Sequence, residues 1–152
     1  MNDNLYLGID IGTYETKGVL VNIEGKIIAQ SAKRHELIVP QKGWAEHRPI
    51  EDWWEDFIFI CQDLFKKNSC NPNNVKAVTA SAIGPCMLPV DKSGMPLMNA
   101  VLYGVDTRAF KEIEELNSLI GEKVIIDFGG NPLTSQSIGP KVIWFKKNKN
   151  DL

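Results

Sequence analysis

Three segments near the start of the chain, residues 5–11, 16–22 and 26–33, alternate or run apolar and are rich in Val, Ile and Leu. Turns containing Gly12 and Gly25 separate them, which predicts a three-strand antiparallel meander. Residues 22–26 form the second hairpin tip, with Gly25 able to adopt positive φ. Residues 34–48 are polar, carry Pro40, Gly43 and Trp44, and predict a surface loop. Pro49 then opens a helix, with Glu51 and Asp52 suited to its positive N-terminal end. Trp54, Phe57, Ile58, Cys61, Leu64 and Phe65 recur at helical spacing and predict one buried face, with the tryptophans of this helix in the core. Residues 68–74, with Pro72, end that helix. Short apolar strands are predicted at 75–81 and 87–90, the first of them buried, and a turn at 91–94. Helices are predicted over 107–120, stopped by Gly121, and over 141–147, with a solvated basic end at 146–149. Asp127 falls in a predicted loop before Phe128, Gly129 and Gly130. The order excludes a regular βαβ alternation at the start. It predicts an α/β domain whose sheet begins with an antiparallel meander and continues through crossover helices and strands.

Composition narrows the class. The chain has 152 residues, 43% hydrophobic and 24% charged, enough for one globular domain with a core. A net charge of −2 argues against a nucleic-acid or anionic-membrane partner, and no apolar run is long enough to span a bilayer. Cys61, Cys70 and Cys86 show no metal-like spacing, and an odd count without a leader-like start favours a reducing, cytoplasmic setting. Cys86 reads as a structural thiol, with no base evident beside it.

Candidate chemistry is concentrated in the first hairpin. Asp10, Gly12, Thr13, Thr16 and Lys17 lie in and beside one tight turn. Gly12 permits close approach of a ligand to the backbone, and the N–H groups and hydroxyls can donate to phosphate oxygens. Asp10 can hold a magnesium-bound water, and Lys17 supplies a point charge. The spacing is neither that of a Walker loop nor that of a dinucleotide-binding turn. Taken alone, the same residues equally describe a hairpin whose Asp and Gly serve backbone geometry only. Two further segments draw attention. Residues 79–86 are small and end in Gly84-Pro85-Cys86, at a strand end where α/β sheets bind ligands, although simple packing against a helix is the reading that bulk statistics favour. Tyr103-Gly104-Val105-Asp106-Thr107-Arg108 precedes a helix, with Asp106 placed as its N-cap and Arg108 placed to pair with a helix carboxylate.

In order along the chain, these motifs resemble the N-terminal part of the FGGY carbohydrate kinases. The series comprises Gly8 to Thr13 with Lys17, Gly43-Trp44-Ala45-Glu46, Trp53-Trp54, Ser81 to Cys86, Asp91 to Leu97, Tyr103 to Arg108, Gly130-Asn131-Pro132 and Pro140 to Trp144. The Tyr103 to Arg108 string resembles a xylulokinase-like subgroup. The resemblance implies an actin-like, ribonuclease-H-type fold. It implies ATP and Mg2+ as cofactors, a sugar or polyol substrate, and transfer of the γ-phosphoryl group to a hydroxyl. Asp10, Gly12, Thr13, Thr16 and Lys17 match the phosphate and magnesium hairpin. Gly84, Pro85, Tyr103, Asp106 and Arg108 fall near the family's sugar site. On this resemblance, residues 1–152 are part of the N-terminal domain of a two-domain kinase. The catalytic aspartate is expected beyond Leu152, and the adenosine pocket in a C-terminal domain that this sequence lacks. The 152 residues are then expected to be inactive alone, and a homodimer is one expected assembly. Two other readings remain: an actin-like ATPase or sensor that uses the same hairpin without a sugar acceptor, and a non-catalytic interaction domain whose apolar cleft side needs a partner.

Overall fold

The computed structural model describes residues 4–67, 69–150 and 152. They fall into two units, residues 1–37 with 48–83 and residues 38–47 with 84–152.

The first unit is built on the meander. Strands β1 (Leu5–Ile11), β2 (Glu15–Asn22) and β3 (Ile27–Arg34) pair antiparallel in sequence, and β5 (Val75–Ala82) adds to the other edge of β1 in parallel, giving the order β3-β2-β1-β5. All three meander strands start and end within one residue of the positions expected from the apolar pattern, and Gly25 takes φ +77° at the hairpin tip. Alternation then divides the sheet into two faces. Leu5, Leu7, Ile9, Leu20 and Ala29 point to one side and form the core with Ile60 and Leu64.

Those last two residues belong to α1 (Asp56–Lys67), which packs on β2 and β3. A π-helical segment, Pro49–Glu55, precedes it. Asp52 reaches back from this segment to accept from the Arg48 backbone N–H (2.8 Å) and its guanidinium (2.7 Å), which satisfies an otherwise orphaned donor at the start of the segment. A π turn holds one residue more than the α repeat allows, so a 3.6-residue stripe extrapolated through it loses phase. Trp54, in that segment, accordingly leaves the expected face: it is 58% exposed and stacks on Phe57. Within α1 itself Ile60 is fully buried although the pattern passes over it, and Ile58 faces solvent. Trp53 is half-buried. Residue 68, at the expected helix end, lies outside the described residues.

Gly18 is where α1 comes closest to the sheet. A Cβ there would lie 2.2 Å from Ile60 Cγ2 and 3.1 Å from Leu64 Cδ1. Gly18→Ala is expected to cost about 1–3 kcal/mol through overpacking. Gly8→Ala, on the opposite face and 3.4 Å from Val19 Cγ1, should cost clearly less. Urea unfolding of both variants checks this, and equal losses would contradict the packing argument.

Strand β5 departs from its expected burial. It is exposed along most of its length, Val78 by 55%, because α1 lies over β2 and β3 and not over this edge.

The second unit has a small antiparallel pair, β4 (Glu46–His47) with β6 (Ala100–Val101), inside what reads as loop sequence. Residues 87–90 form only isolated bridges, Met87 to Val101 and Val90 to Pro96, in place of the expected strand. The turn at 91–94 is as expected: Asp91 Oδ1 accepts from Ser93 and from the Met95 N–H, and Gly94 takes φ +84°. Helix α2 (Phe110–Ile120) stops at Gly121, φ +91°, and α3 (Glu122–Gly129) starts at once. Asp127 therefore lies on a helix, paired with Lys123 one turn earlier at 2.6 Å, and not in a loop. Helix α4 (Ile138–Asn148) begins three residues before its expected start, carrying Pro140 in its first turn where no N–H is needed. Its basic end is only partly solvated, since Lys147 pairs with Glu112 and Glu115 of α2.

Candidate functional site

The β1–β2 hairpin gives the polar turn its geometry. Register places Asp10 directly opposite Lys17. Parallel pairing of β5 sets Ser81 beside Asp10, and β3 sets Ala32 beside Lys17. Ala32, Lys17, Asp10 and Ser81 thus form one cross-strand row on the face that α1 does not cover. Behind it, Gly8, Val19 and Thr79 continue the floor of an open depression of about 850 Å³. Local sequence could not reveal Ser81 as a neighbour of Asp10, because some 70 residues separate the two strands and parallel register has no short-range signal.

The turn is closed by the Gly12 N–H donating to the Glu15 carbonyl at 2.9 Å. A Cβ on Gly12 would sit 2.9 Å from that same oxygen, so this close turn requires glycine. Thr13 lies half-buried in the turn. Lys17 pairs with Glu15 at 3.0 Å, and the hydrogen bond and charge of Glu15 raise the lysine's pKa above its ordinary value. The exposed Asp10 carboxylate makes no hydrogen bond or ion pair to any described residue.

Thr16 does not join this group. It is fully buried on the α1 side, pairing with Ile11 and sharing a face with Gly18 and Leu20, and its hydroxyl has no hydrogen-bond partner. Strand alternation sends its side chain away from Asp10 and Lys17, which corrects its expected place among the phosphate-contacting hydroxyls.

His35 supports the turn from the side. Its side chain is 3% exposed; Nε2 lies 3.1 Å from the Gly12 carbonyl oxygen, Nδ1 lies 2.8 Å from Asp56 Oδ2, and its backbone N–H donates to the Tyr14 carbonyl at 3.0 Å.

In the second unit, Gly84 and Pro85 are exposed and joined by a cis peptide, with open space where a Gly84 Cβ would stand. Tyr103 is half-buried. The adjoining Gly104 lies against the Gln136 side chain, and the Ser135 hydroxyl donates to the Gly104 carbonyl at 2.8 Å. Lys141 is buried beneath this loop, its Nζ donating to the carbonyls of Leu102 (2.5 Å) and Tyr103 (3.1 Å). Burial pushes the Lys141 pKa below its ordinary value and that of the Cys86 thiol above its own. An inert structural thiol fits that environment.

Asp106 and Arg108, expected at a ligand, are instead closed on each other. Asp106 is fully buried. It accepts from the Ala45 N–H at 2.7 Å and from the Arg108 guanidinium at 2.7–3.0 Å. It does not cap α2, whose N-terminal flanking residue is Ala109 with no side-chain cap. Arg108 bonds Glu46 Oε1 at 2.8 Å, a strand carboxylate where a helix partner was expected. Its guanidinium carbon stands 4.0 Å from the Trp44 ring centre and 5.0 Å from that of Trp144, and the two rings meet edge to face. Nη1 has no hydrogen-bond acceptor, and the aromatic rings take that place. Trp44 anchors its loop, and this cluster ties loop, β4 and α4 together. Among the described residues, no three His, Cys, Asp or Glu side chains are grouped to hold a metal.

A mixed sheet led by an antiparallel meander, with a phosphate-compatible turn inside its first hairpin, defines an actin-like, ribonuclease-H-like domain. The sequence profile of the FGGY family of carbohydrate kinases, N-terminal domain, matches residues 5–152, and the chain belongs to that family. It is 28% identical over 146 residues to the xylulose kinase of Bacillus subtilis (strain 168), covering 96% of this chain and 29% of that protein. Its fold superposes on the xylulose kinase of Rhodospirillum rubrum with TM-score 0.87 at 23% identity, covering 97% of this chain and 30% of that one. It superposes on Plasmodium falciparum glycerol kinase with ADP with TM-score 0.82 at 22% identity, covering 97% and 29%. The chain thus spans less than a third of the length of these relatives. No helix among the described residues is long and apolar enough to cross a membrane.

Proposed function

We propose that this chain is the phosphate-handling and acceptor-side portion of an ATP-dependent kinase that transfers the γ-phosphoryl group to a hydroxyl of a sugar or polyol. The observation that carries the reading is the Asp10–Lys17 pair, set side by side on an open sheet face with the carboxylate unengaged. The names of the relatives, xylulose and glycerol kinases, support a small polyhydroxylated acceptor.

The residues fit magnesium. Mg2+ is typically held by one or two carboxylates together with substrate phosphates and waters, and one exposed, uncommitted carboxylate at a strand end meets that need. When bound, the ion would neutralise charge on the β- and γ-phosphates. Asp10 would hold it through water, the Gly12–Thr13 backbone would donate to phosphate oxygens, and Lys17 would exchange Glu15 for phosphate. Catalysis of this kind is positioning plus electrostatic stabilisation of an in-line transfer. Gly84, Pro85 and Tyr103 would line the acceptor. Asp106 and Arg108 would serve it indirectly, as the buried frame of the loop that carries Tyr103.

We assign no general base to these 152 residues. Asp91 is committed to its own turn, which holds its pKa low chiefly through the Ser93 hydroxyl; Asp106 is committed to Arg108, and Asp127 to Lys123. The base, the adenosine pocket and the enclosing domain would come from chain outside this sequence.

The test is ADP release by the full-length protein across ketoses, aldonates and polyols. ADP formation that depends on one acceptor is expected. ATP consumption unchanged by any acceptor would replace this reading with an actin-like ATPase, and absence of nucleotide binding would remove it.

A further inference from the structure

We propose that His35 is a positioning residue for the phosphate turn, acting through the Gly12 carbonyl and anchored by Asp56. Its consequence for ligand binding rests on the nucleotide reading of that turn given above.

The argument is one of donors and acceptors. Nε2 faces a backbone carbonyl and Nδ1 faces a carboxylate, at 3.1 and 2.8 Å. A carbonyl and an ionised carboxylate only accept, so the ring serves both only when each nitrogen carries a hydrogen. Asp56 comes from the first residue of α1, and Lys33 of β3 holds its other oxygen at 2.6 Å. Within the turn, Glu15 is directed to Lys17. The ring therefore bridges α1 to the Gly12–Glu15 turn. The neighbouring backbone bond from the His35 N–H to the Tyr14 carbonyl fixes the same segment to the turn. Without the ring the turn is released from α1, and the Gly12 and Thr13 donors lose their fixed orientation. The turn is thereby held by a residue that touches no ligand.

The test is nuclear magnetic resonance on the full 152-residue chain, labelled with 15N. In His35→Ala the Gly12, Thr13 and Tyr14 amides are expected to move from their positions in the unmodified protein, while amides at the β2–β3 hairpin tip keep theirs. In His35→Gln, which keeps an amide donor near the Nε2 position, the turn amides should return most of the way. Titration with Mg·ATP, followed at those amides, should show affinity about tenfold weaker in His35→Ala, the size of one lost hydrogen bond. His35→Gln should recover most of that loss. A structural role alone would lower the unfolding midpoint without singling out the turn amides or being rescued there by glutamine. Turn amides unmoved in His35→Ala, or moved equally in His35→Gln, overturn the proposal, as does Mg·ATP binding unaffected by His35→Ala. Turn amides that move in His35→Ala and recover in His35→Gln while no sample binds Mg·ATP would leave His35 as the positioning residue of the turn and overturn only the nucleotide reading.

Discussion

Asp106→Ala is expected to destabilise the second unit by about 3–5 kcal/mol. Asp106 is completely buried and accepts from both the Ala45 N–H and Arg108. Removing it leaves the fully buried Arg108 guanidinium with Glu46 as its remaining carboxylate, and leaves a buried backbone donor unsatisfied. Domains of this size are stable by about 5–15 kcal/mol, so the change consumes a large part of the total. Asp106→Asn separates the two contributions. It can still accept from Ala45, and should therefore recover part of the loss but not the charge pairing. Urea unfolding monitored at the indole resonances of Trp44 and Trp144 reads this unit selectively, because both rings pack on Arg108. A loss below about 1 kcal/mol would mean that the ion pair contributes no more than an exposed one. Arg108→Lys should also be poorly tolerated, since a lysine has neither the fork that reaches Asp106 and Glu46 together nor the flat face that lies between two indoles.

Asp10→Ala is the counterpart with the largest expected effect on activity. On the proposed function, in the full-length protein it should lower acceptor-dependent ATP turnover by about 10²–10³-fold or more, the usual consequence of removing one electrostatic element from a transfer site. Stability should change by no more than about 0.5 kcal/mol, because the carboxylate is exposed and bonds nothing among the described residues. This asymmetry between Asp10 and Asp106 is the point of the comparison. One aspartate stands open on the sheet face, and the other is used up by the fold. Near-normal turnover in Asp10→Ala, with the protein folded, would remove the hairpin from the mechanism.

Sequence reading set Asp10 at a magnesium-bound water and Asp106 at a helix N-cap near a sugar, both at candidate ligand sites. Each lies two residues from a glycine, and nothing local shows which of them is enclosed. The difference arises from residues far away in the chain. Glu46 and Ala45 lie some 60 positions before Asp106 and close over it, whereas nothing closes over Asp10. Thr16 was misplaced for a related reason. Its position in a polar turn suggested a phosphate contact, but strand parity turns it to the α1 side. The missed α3 has a different cause. Gly121 is a true stop, yet it starts a new helix without a spacer, so the residues around Asp127 resemble loop until the chain direction is known.

What the sequence by itself determined is everything governed by local periodicity and backbone preference. That includes the three meander strands, the glycine turns at Gly12, Gly25, Gly94 and Gly121, the existence of α1, α2 and α4, and the ordered motif series that marks the family. Period-2 and period-3.6 patterns report which face of an element is apolar, and glycine reports where the backbone needs space. Only the tertiary structure decided which neighbours those faces meet. It set β5 parallel to β1 with Ser81 beside Asp10, joined His35 to both Gly12 and Asp56, and enclosed Asp106 and Arg108 against Ala45 and Glu46. These are contacts between residues distant in sequence, formed by geometry and burial together, and no local pattern encodes them.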